Sequence, residues 1–236
     1  MKTLYAIALS FSISAAVFAA DAPRFRGPNG DGKFDEQGLL KSWPEEGPPV
    51  AWIAKGLGQG YSSASVAKGR IYVAGMTAED QTGHIHILDM QGRRIGDIPY
   101  GKETVNDAAS GARSTPTIDG NRLYILSGLG VVYCLDLDGR TTLWSVNILE
   151  RFHAENIEWH LSESLLVDGD RVICTPGGKE GGVAALNKTT GETVWATKGV
   201  DDMTAYVSPV IAVHNGRRIL LTETAKFVVG VDADSG

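Results

Sequence analysis

The chain has 236 residues, with 22 basic against 28 acidic side chains and a net charge of −6. Its pI is near 5.4 and no run of like charges marks a basic arm, so nucleic acid is excluded as a partner. Its 29 glycines and 43% apolar residues, against a usual glycine share of ~7%, fit many short strands joined by tight turns and exclude collagen, coiled coil and disorder.

Residues Thr3 to Ala20 carry no charge, follow Lys2 and end in Ala15-Ala16-Val17-Phe18-Ala19-Ala20. A basic start, an apolar middle and small residues at the end predict a secretory signal peptide over residues 1–19, cut after Ala19 or Ala20. The mature chain is then periplasmic or secreted, with no transmembrane segment left. No Cys lies near the cut, so a lipoprotein-type anchor is not expected there. Residues 20–48 read as a lead-in segment and residues 49–236 as repeats.

Four segments align. The first runs through Tyr61-Ser62-Ser63, Gly69-Arg70-Ile71-Tyr72-Val73 and His84-Ile85-His86-Ile87-Leu88-Asp89. The second has Arg113-Ser114-Thr115, Asn121-Arg122-Leu123-Tyr124-Ile125 and Val131-Val132-Tyr133-Cys134-Leu135-Asp136. The third has Ser162-Glu163-Ser164, Asp170-Arg171-Val172-Ile173 and Gly182-Val183-Ala184-Ala185-Leu186-Asn187, and the fourth Tyr206-Val207-Ser208, Arg218-Ile219-Leu220-Leu221 and Val231-Asp232. The hydroxyls Ser63, Thr115, Ser164 and Ser208 recur 52, 49 and 44 residues apart, near the length of a propeller blade. Each unit holds three β-rich runs separated by Gly turns, with a fourth, outer strand due after the last turn and no useful stretch of helical period. The fold class is all-β, a β-propeller of four-stranded blades.

The most specific signal is Ala185-Leu186-Asn187-Lys188-Thr189-Thr190-Gly191-Glu192-Thr193-Val194-Trp195, matched over eleven positions by Cys134 to Trp144. Here the chain resembles the quinoprotein-type, or PQQ-like, β-propeller repeats. The resemblance implies that Thr190 and Gly191 turn the hairpin and that Trp144 and Trp195 dock between blades. The first repeat departs from the pattern, with Asp97 in the Trp position. Pro49-Val50-Ala51-Trp52-Ile53 reads as an outer strand with its own docking Trp52. The segment Arg24-Phe25-Arg26-Gly27-Pro28-Asn29-Gly30-Asp31-Gly32 resembles the lead-in of exported bacterial members. PQQ-like propellers have seven or eight blades and about four are present, so the sequence is expected to be a fragment cut within a blade.

In quinoprotein dehydrogenases of this fold the cofactor and a Ca²⁺ ion lie at the propeller axis, where the innermost strands begin. The candidates there are Arg113 for a carboxylate, Trp159 or Tyr61 for a planar ring and Glu163 for a hard cation. The competing reading is that these residues satisfy backbone groups at strand starts. The adjacent Cys-Cys pair of that enzyme family is absent from the chain, and no Glu, Asn and Asp calcium set assembles. His84 and His86 face one side of a strand, but with no third ligand identifiable in the sequence they assign no metal. The glycine-rich Gly56 to Gly60 and Thr175 to Gly182 lack phosphate-loop spacing and read as turns. Cys134 and Cys174 sit in apolar strand runs and read as buried free thiols.

The expected function is therefore a cofactor-free binding or assembly scaffold whose partners are other proteins or an extracytoplasmic polymer. By resemblance, its nearest analogue is the propeller of the outer-membrane β-barrel assembly machinery. The alternative is a PQQ- and calcium-dependent alcohol or sugar dehydrogenase with its site partly beyond Gly236.

Overall fold

Residues alternate in facing along each run, and this period of two turns every repeat into one antiparallel meander with two buried faces. The structure is a computed structural model and describes residues 20–106 and 109–236; the expected signal peptide lies outside them. The first sheet comprises β1 (Ser65–Ala67), β2 (Arg70–Met76), β3 (Thr82–Asp89) and β4 (Arg94–Lys102). The second comprises β5 (Thr117–Asp119), β6 (Arg122–Leu126), β7 (Val131–Asp136) and β8 (Thr141–Asn147). The third holds β9 (Leu166–Asp168), β10 (Arg171–Cys174), β11 (Ala184–Asn187) and β12 (Thr193–Ala196), and the fourth β13 (Val210–His214), β14 (Arg217–Glu223) and β15 (Val228–Asp232). Strands pair in sequence order within each sheet. These are four blades of a β-propeller, three of them with their outer strand.

The core is divided into layers between blades. Ile85, Ile87 and Ile98 of the first blade meet Leu123, Ile125 and Leu135 of the second. Val132 and Cys134, on the opposite face of β7, join Val172, Cys174, Ala184 and Leu186 of the third. Ile173, Ala185 and Trp195 then meet Leu220 and Ala233 of the fourth. Both cysteines are buried and free.

The docking residues fall into one geometry. The Trp144 ring lies over Gly191, where an added Cβ would sit 2.8 Å from it, and the Trp195 ring covers Gly236 in the same way at 2.5 Å. Trp144 Nε1 donates to Lys188 O at 3.2 Å. Trp52 covers Gly92 and donates to Met90 O at 3.2 Å. Gly191 has φ +75, so both the turn and the ring require glycine there. Residues 49–53, expected to form an outer strand, are not one: no described strand runs beside them to complete a ladder, although Trp52 docks. The register corrects the expected place of Asp97: Ile87, which aligns with Cys134 and Ala185, faces Gly96 as Cys134 faces Trp144 and Ala185 faces Trp195, because the turn after Asp89 is one residue shorter, and Asp97 points to the opposite face of the sheet. The gap at that junction is taken from the other side by Arg140, whose guanidinium lies against Gly96 and donates to Ile95 O at 3.3 Å.

A second set of contacts joins the blades at the strand starts. Ser63 N donates to Thr115 Oγ1 at 3.3 Å, Thr115 N to Ser164 Oγ at 3.0 Å and Ser164 N to Ser208 Oγ at 2.9 Å. The aligned hydroxyls of Thr115, Ser164 and Ser208 are thus a relay, each accepting from the equivalent residue of the preceding blade. Ser164→Ala leaves the buried Thr115 N–H without an acceptor and is expected to cost about 1–3 kcal/mol, read as a lower urea midpoint at unchanged slope.

Between the second and third blades a one-turn helix, α1 (Ile148–Arg151), interrupts the connection. The sequence reading contained no helix because a single turn shows no periodicity. Asn147 caps it, its side chain accepting from Leu149 N and Glu150 N. The lead-in crosses the first strands of the first two blades. Ala22 pairs with Val66, Ile118 N donates to Pro23 O at 2.7 Å, and the Asp21 carboxylate accepts from Lys68 N.

Candidate functional site

In an antiparallel meander the connections leaving each second strand and each fourth strand gather at one end of the blades. The sequence candidates all lie at this end. Tyr61, Trp159 and Tyr206 are 64%, 45% and 50% exposed, an aromatic rim presented at the starts of the first strands. Trp159 N donates to Tyr206 Oη at 2.9 Å, which fixes the two relative to each other. The Arg113 guanidinium stands 5.7 Å from the centre of the Tyr61 ring, and its Nη2 donates to Ala109 O at 2.5 Å.

Glu163 is buried below this rim, and both carboxylate oxygens face Thr175 N at 2.9 and 3.1 Å. Burial pushes its carboxyl up to about 8. No hydrogen bond, ion pair or ring contact joins Arg113, Trp159 and Glu163 to one another among the described residues. These side chains do not converge on one another: the Glu163 carboxyl is enclosed and faces Thr175 N, and the Arg113 guanidinium is engaged by a carbonyl and a ring.

A second buried carboxyl was not legible in the sequence. Glu103 accepts from Tyr100 Oη at 2.5 Å and from Gly128 N at 3.0 Å, and burial raises its pKa. Its partners come from two blades, so no local motif could have marked it. Near it Asn156 Nδ2 donates to Gly128 O at 2.8 Å, and His160, whose pKa is lowered by burial and then by Arg113, has a left-handed φ of +64.

The glycine-rich segments are close-packed backbone. An added Cβ on Gly75 would lie 1.7 Å from Leu57 O, and one on Gly111 2.2 Å from Gln59 O; residues 57–60 thread between these glycines. Gly177 packs on Thr204 N, and Gly178 N donates to Asp202 O at 2.7 Å.

The third partner that the sequence did not supply for His84 and His86 is Asp97. Its oxygens lie 2.5 Å from His84 Nδ1 and 2.6 Å from His86 Nδ1, and the two rings are parallel. Among the described residues no group of three His, Cys, Asp or Glu has metal-holding geometry. Burial first, then Arg94, lowers the His86 pKa from 6.5, against the opposing pull of Asp97. The unfolded chain therefore binds the extra proton first, and stability is lost as pH falls from about 6.5 toward the folded pKa. The urea midpoint of the wild type is expected to drop between pH 7 and pH 5 by more than that of His86→Gln.

The PQQ_2 family model, described as outer membrane protein assembly factor BamB, matches residues 81–236. The outer membrane protein assembly factor BamB of Kangiella koreensis is 24% identical over 176 residues, 74% of this chain. The chain spans 41% of the length of that relative. Among solved structures, the quinohemoprotein alcohol dehydrogenase of Comamonas testosteroni superposes with a TM-score of 0.54 at 15% identity, over 78% of this chain and 34% of the other. The computationally designed Ika4 protein superposes at 0.51 and 12% identity, over 80% of this chain and 99% of its own. These two likenesses show the fold alone. Repeat pattern, blade architecture and a family match over more than half the length together place the chain in the PQQ-like family of the outer membrane protein assembly factor BamB.

Proposed function

We propose that the chain works outside the cytoplasm as a non-catalytic scaffold, binding another protein or an extracytoplasmic polymer. The observation that carries this reading is the rim of Tyr61, Trp159 and Tyr206, held open to solvent at one end of blades that the hydroxyl relay and docked tryptophans lock together. Aromatic residues with polar tips on a rigid frame bind with little loss of side-chain freedom. The candidate reactive groups beside them are engaged internally, and the printed name of the matched relative is that of an assembly factor. Among the described residues no helix is long and apolar enough to cross a membrane.

The test is photo-crosslinking in the cell envelope from a benzophenone side chain at position 159 or 206, with the exposed turn position 91 as control. A discrete protein adduct from 159 and 206 and none from 91 supports a protein partner. Retention on envelope polysaccharide without an adduct assigns the partner to the polymer class. Dye-linked alcohol oxidation after addition of pyrroloquinoline quinone and Ca²⁺ overturns the scaffold reading in favour of a dehydrogenase.

A further inference from the structure

The lead-in motif builds a feature that the scaffold reading does not use. Residues 24–32 close into a knot of turns, with Gly27 N donating to Arg24 O at 3.2 Å, Gly30 N to Gly27 O at 3.1 Å and Gly32 N to Arg26 O at 2.9 Å. Gly27 is buried and has φ +82; Arg26 itself holds φ +64, a left-handed conformation uncommon for a residue with a side chain and maintained only where its surroundings demand it. The knot faces the first strands of the third and fourth blades across a cavity of about 470 Å³, within the size range of small-molecule sites. Its walls include Arg24 and Arg26 from the knot, Leu165 and Val167 from the third blade, and Tyr206 and Ile211 from the fourth. Arg113, Trp159 and Glu163 do not line it.

The charges on these walls are unequally matched. Arg218, also on the wall, is neutralised by Asp168 and Asp234. Arg26 lies over the Phe25 ring at 5.9 Å. Arg24 is half-buried and its Nε is withdrawn from solvent with no hydrogen-bond partner; the Asp31 charge supports it, and burial outweighs that support. Neither Arg24 nor Arg26 has an ion-pair partner among the described residues. The Nε side of the group is closed to a ligand as well as to solvent, and the Nη1–Nη2 end is the planar fork that matches the two oxygens of one carboxylate. Asp168 on the same wall is itself paired with Arg218 and with Arg171 at 3.4 Å, so the unpaired positive charge on the walls belongs to the knot. Leu165, Val167 and Ile211 offer an apolar surface to the remainder of the molecule.

We infer that the cavity between the lead-in knot and the first strands of the third and fourth blades binds a small organic monocarboxylate with an apolar body, through the guanidinium fork of Arg24. Arg26 adds field strength at the mouth, and the ligand body lies along Leu165, Val167 and Ile211. The site shares Tyr206 with the aromatic rim, but its anion-binding group, Arg24, is not part of that rim.

The test follows the arginine Nε–H resonances of the full 236-residue chain during titration at low ionic strength with benzoate, with benzyl alcohol and with inorganic phosphate. The Arg24 signal is assigned by its loss in Arg24→Lys. Benzoate is expected to shift it saturably, and benzyl alcohol to leave it in place. Arg24→Gln is expected to weaken benzoate binding by about tenfold or more, and Arg24→Lys, which keeps the charge without the fork, to recover only part of that loss. An Arg24 signal unmoved by benzoate, equal affinity in Arg24→Gln, or preference for phosphate over benzoate overturns the assignment. If Arg24→Gln fails to fold, the wild-type titration decides alone, because the signal either moves with benzoate or does not.

Discussion

Trp195→Ala is expected to lower the unfolding free energy by about 3–5 kcal/mol, the largest loss from any docking residue. Trp195 is 9% exposed and fills the layer between the third and fourth blades with Leu220 and Ala233. Its removal opens a cavity that two relatively rigid sheets cannot close. Trp144→Ala is expected to cost less, because that ring is only half-buried. Phenylalanine separates packing from hydrogen bonding. Trp144 Nε1 has Lys188 O as its acceptor, whereas Trp195 Nε1 is buried with none. In the fourth blade the equivalent carbonyl, Ala233 O, is held by Arg171 Nη1 at 3.0 Å. Trp144→Phe therefore loses a bond worth about 1 kcal/mol, while Trp195→Phe removes an unpaired donor and recovers part of its packing loss. Equilibrium urea unfolding of the four variants reads the difference. An equal cost for the two phenylalanine variants would show that the indole N–H groups do not distinguish the junctions.

The blade architecture was legible because it is periodic. Alternation marked the strands, and the Trp that follows the Gly turn marked the ring that lids the next blade's turn. Departures from the period were visible as positions but not as structures. The absent Trp announces a missing lid, yet nothing local says that a shorter turn puts Gly96 in its place, that Arg140 of the next blade covers that glycine or that His84 and His86 share the Asp97 carboxylate. The same limit applies to the hydroxyls. Their alignment is plain at 52, 49 and 44 residues, but a bond from Thr115 N to Ser164 Oγ exists only once two blades are side by side. The strand expected over residues 49–53 failed for a related reason, since an apolar run forms a strand only where a ladder partner lies beside it. The lead-in motif was visible in the sequence, while its course across β1 and β5 rests on one bridge at Val66, the Asp21 contact with Lys68 N and one hydrogen bond from Ile118 N, which leave no pattern in composition. Among the site candidates, residue types could suggest Arg113, Trp159 and Glu163, but not that the arginine is pinned to Ala109 O or that the carboxyl is enclosed.

The enclosure of Glu163 sets the second large effect. Its carboxyl is raised from 4.5 to about 8 by burial, with the Thr175 bonds opposing the rise. The folded chain thus holds a proton that the unfolded chain has released, and between these values stability falls as pH rises. Below about pH 4.5 both states are protonated and the penalty vanishes; above about pH 8 it is complete, on the order of 5 kcal/mol. Glu163→Gln is shaped like the neutral acid and can still accept from Thr175 N. Its amide group can donate to Thr175 Oγ1, which is buried beside it. The variant is therefore expected to match the wild type near pH 5 and to exceed it in urea midpoint at pH 9, where the wild type must bury a carboxylate or break open the layer around Cys174. Parallel stability profiles for the two proteins from pH 5 to pH 9 would sink this account. Divergence would establish that Glu163 is neutral at physiological pH in the folded chain, a state in which a carboxyl donates a hydrogen bond rather than holding a hard cation.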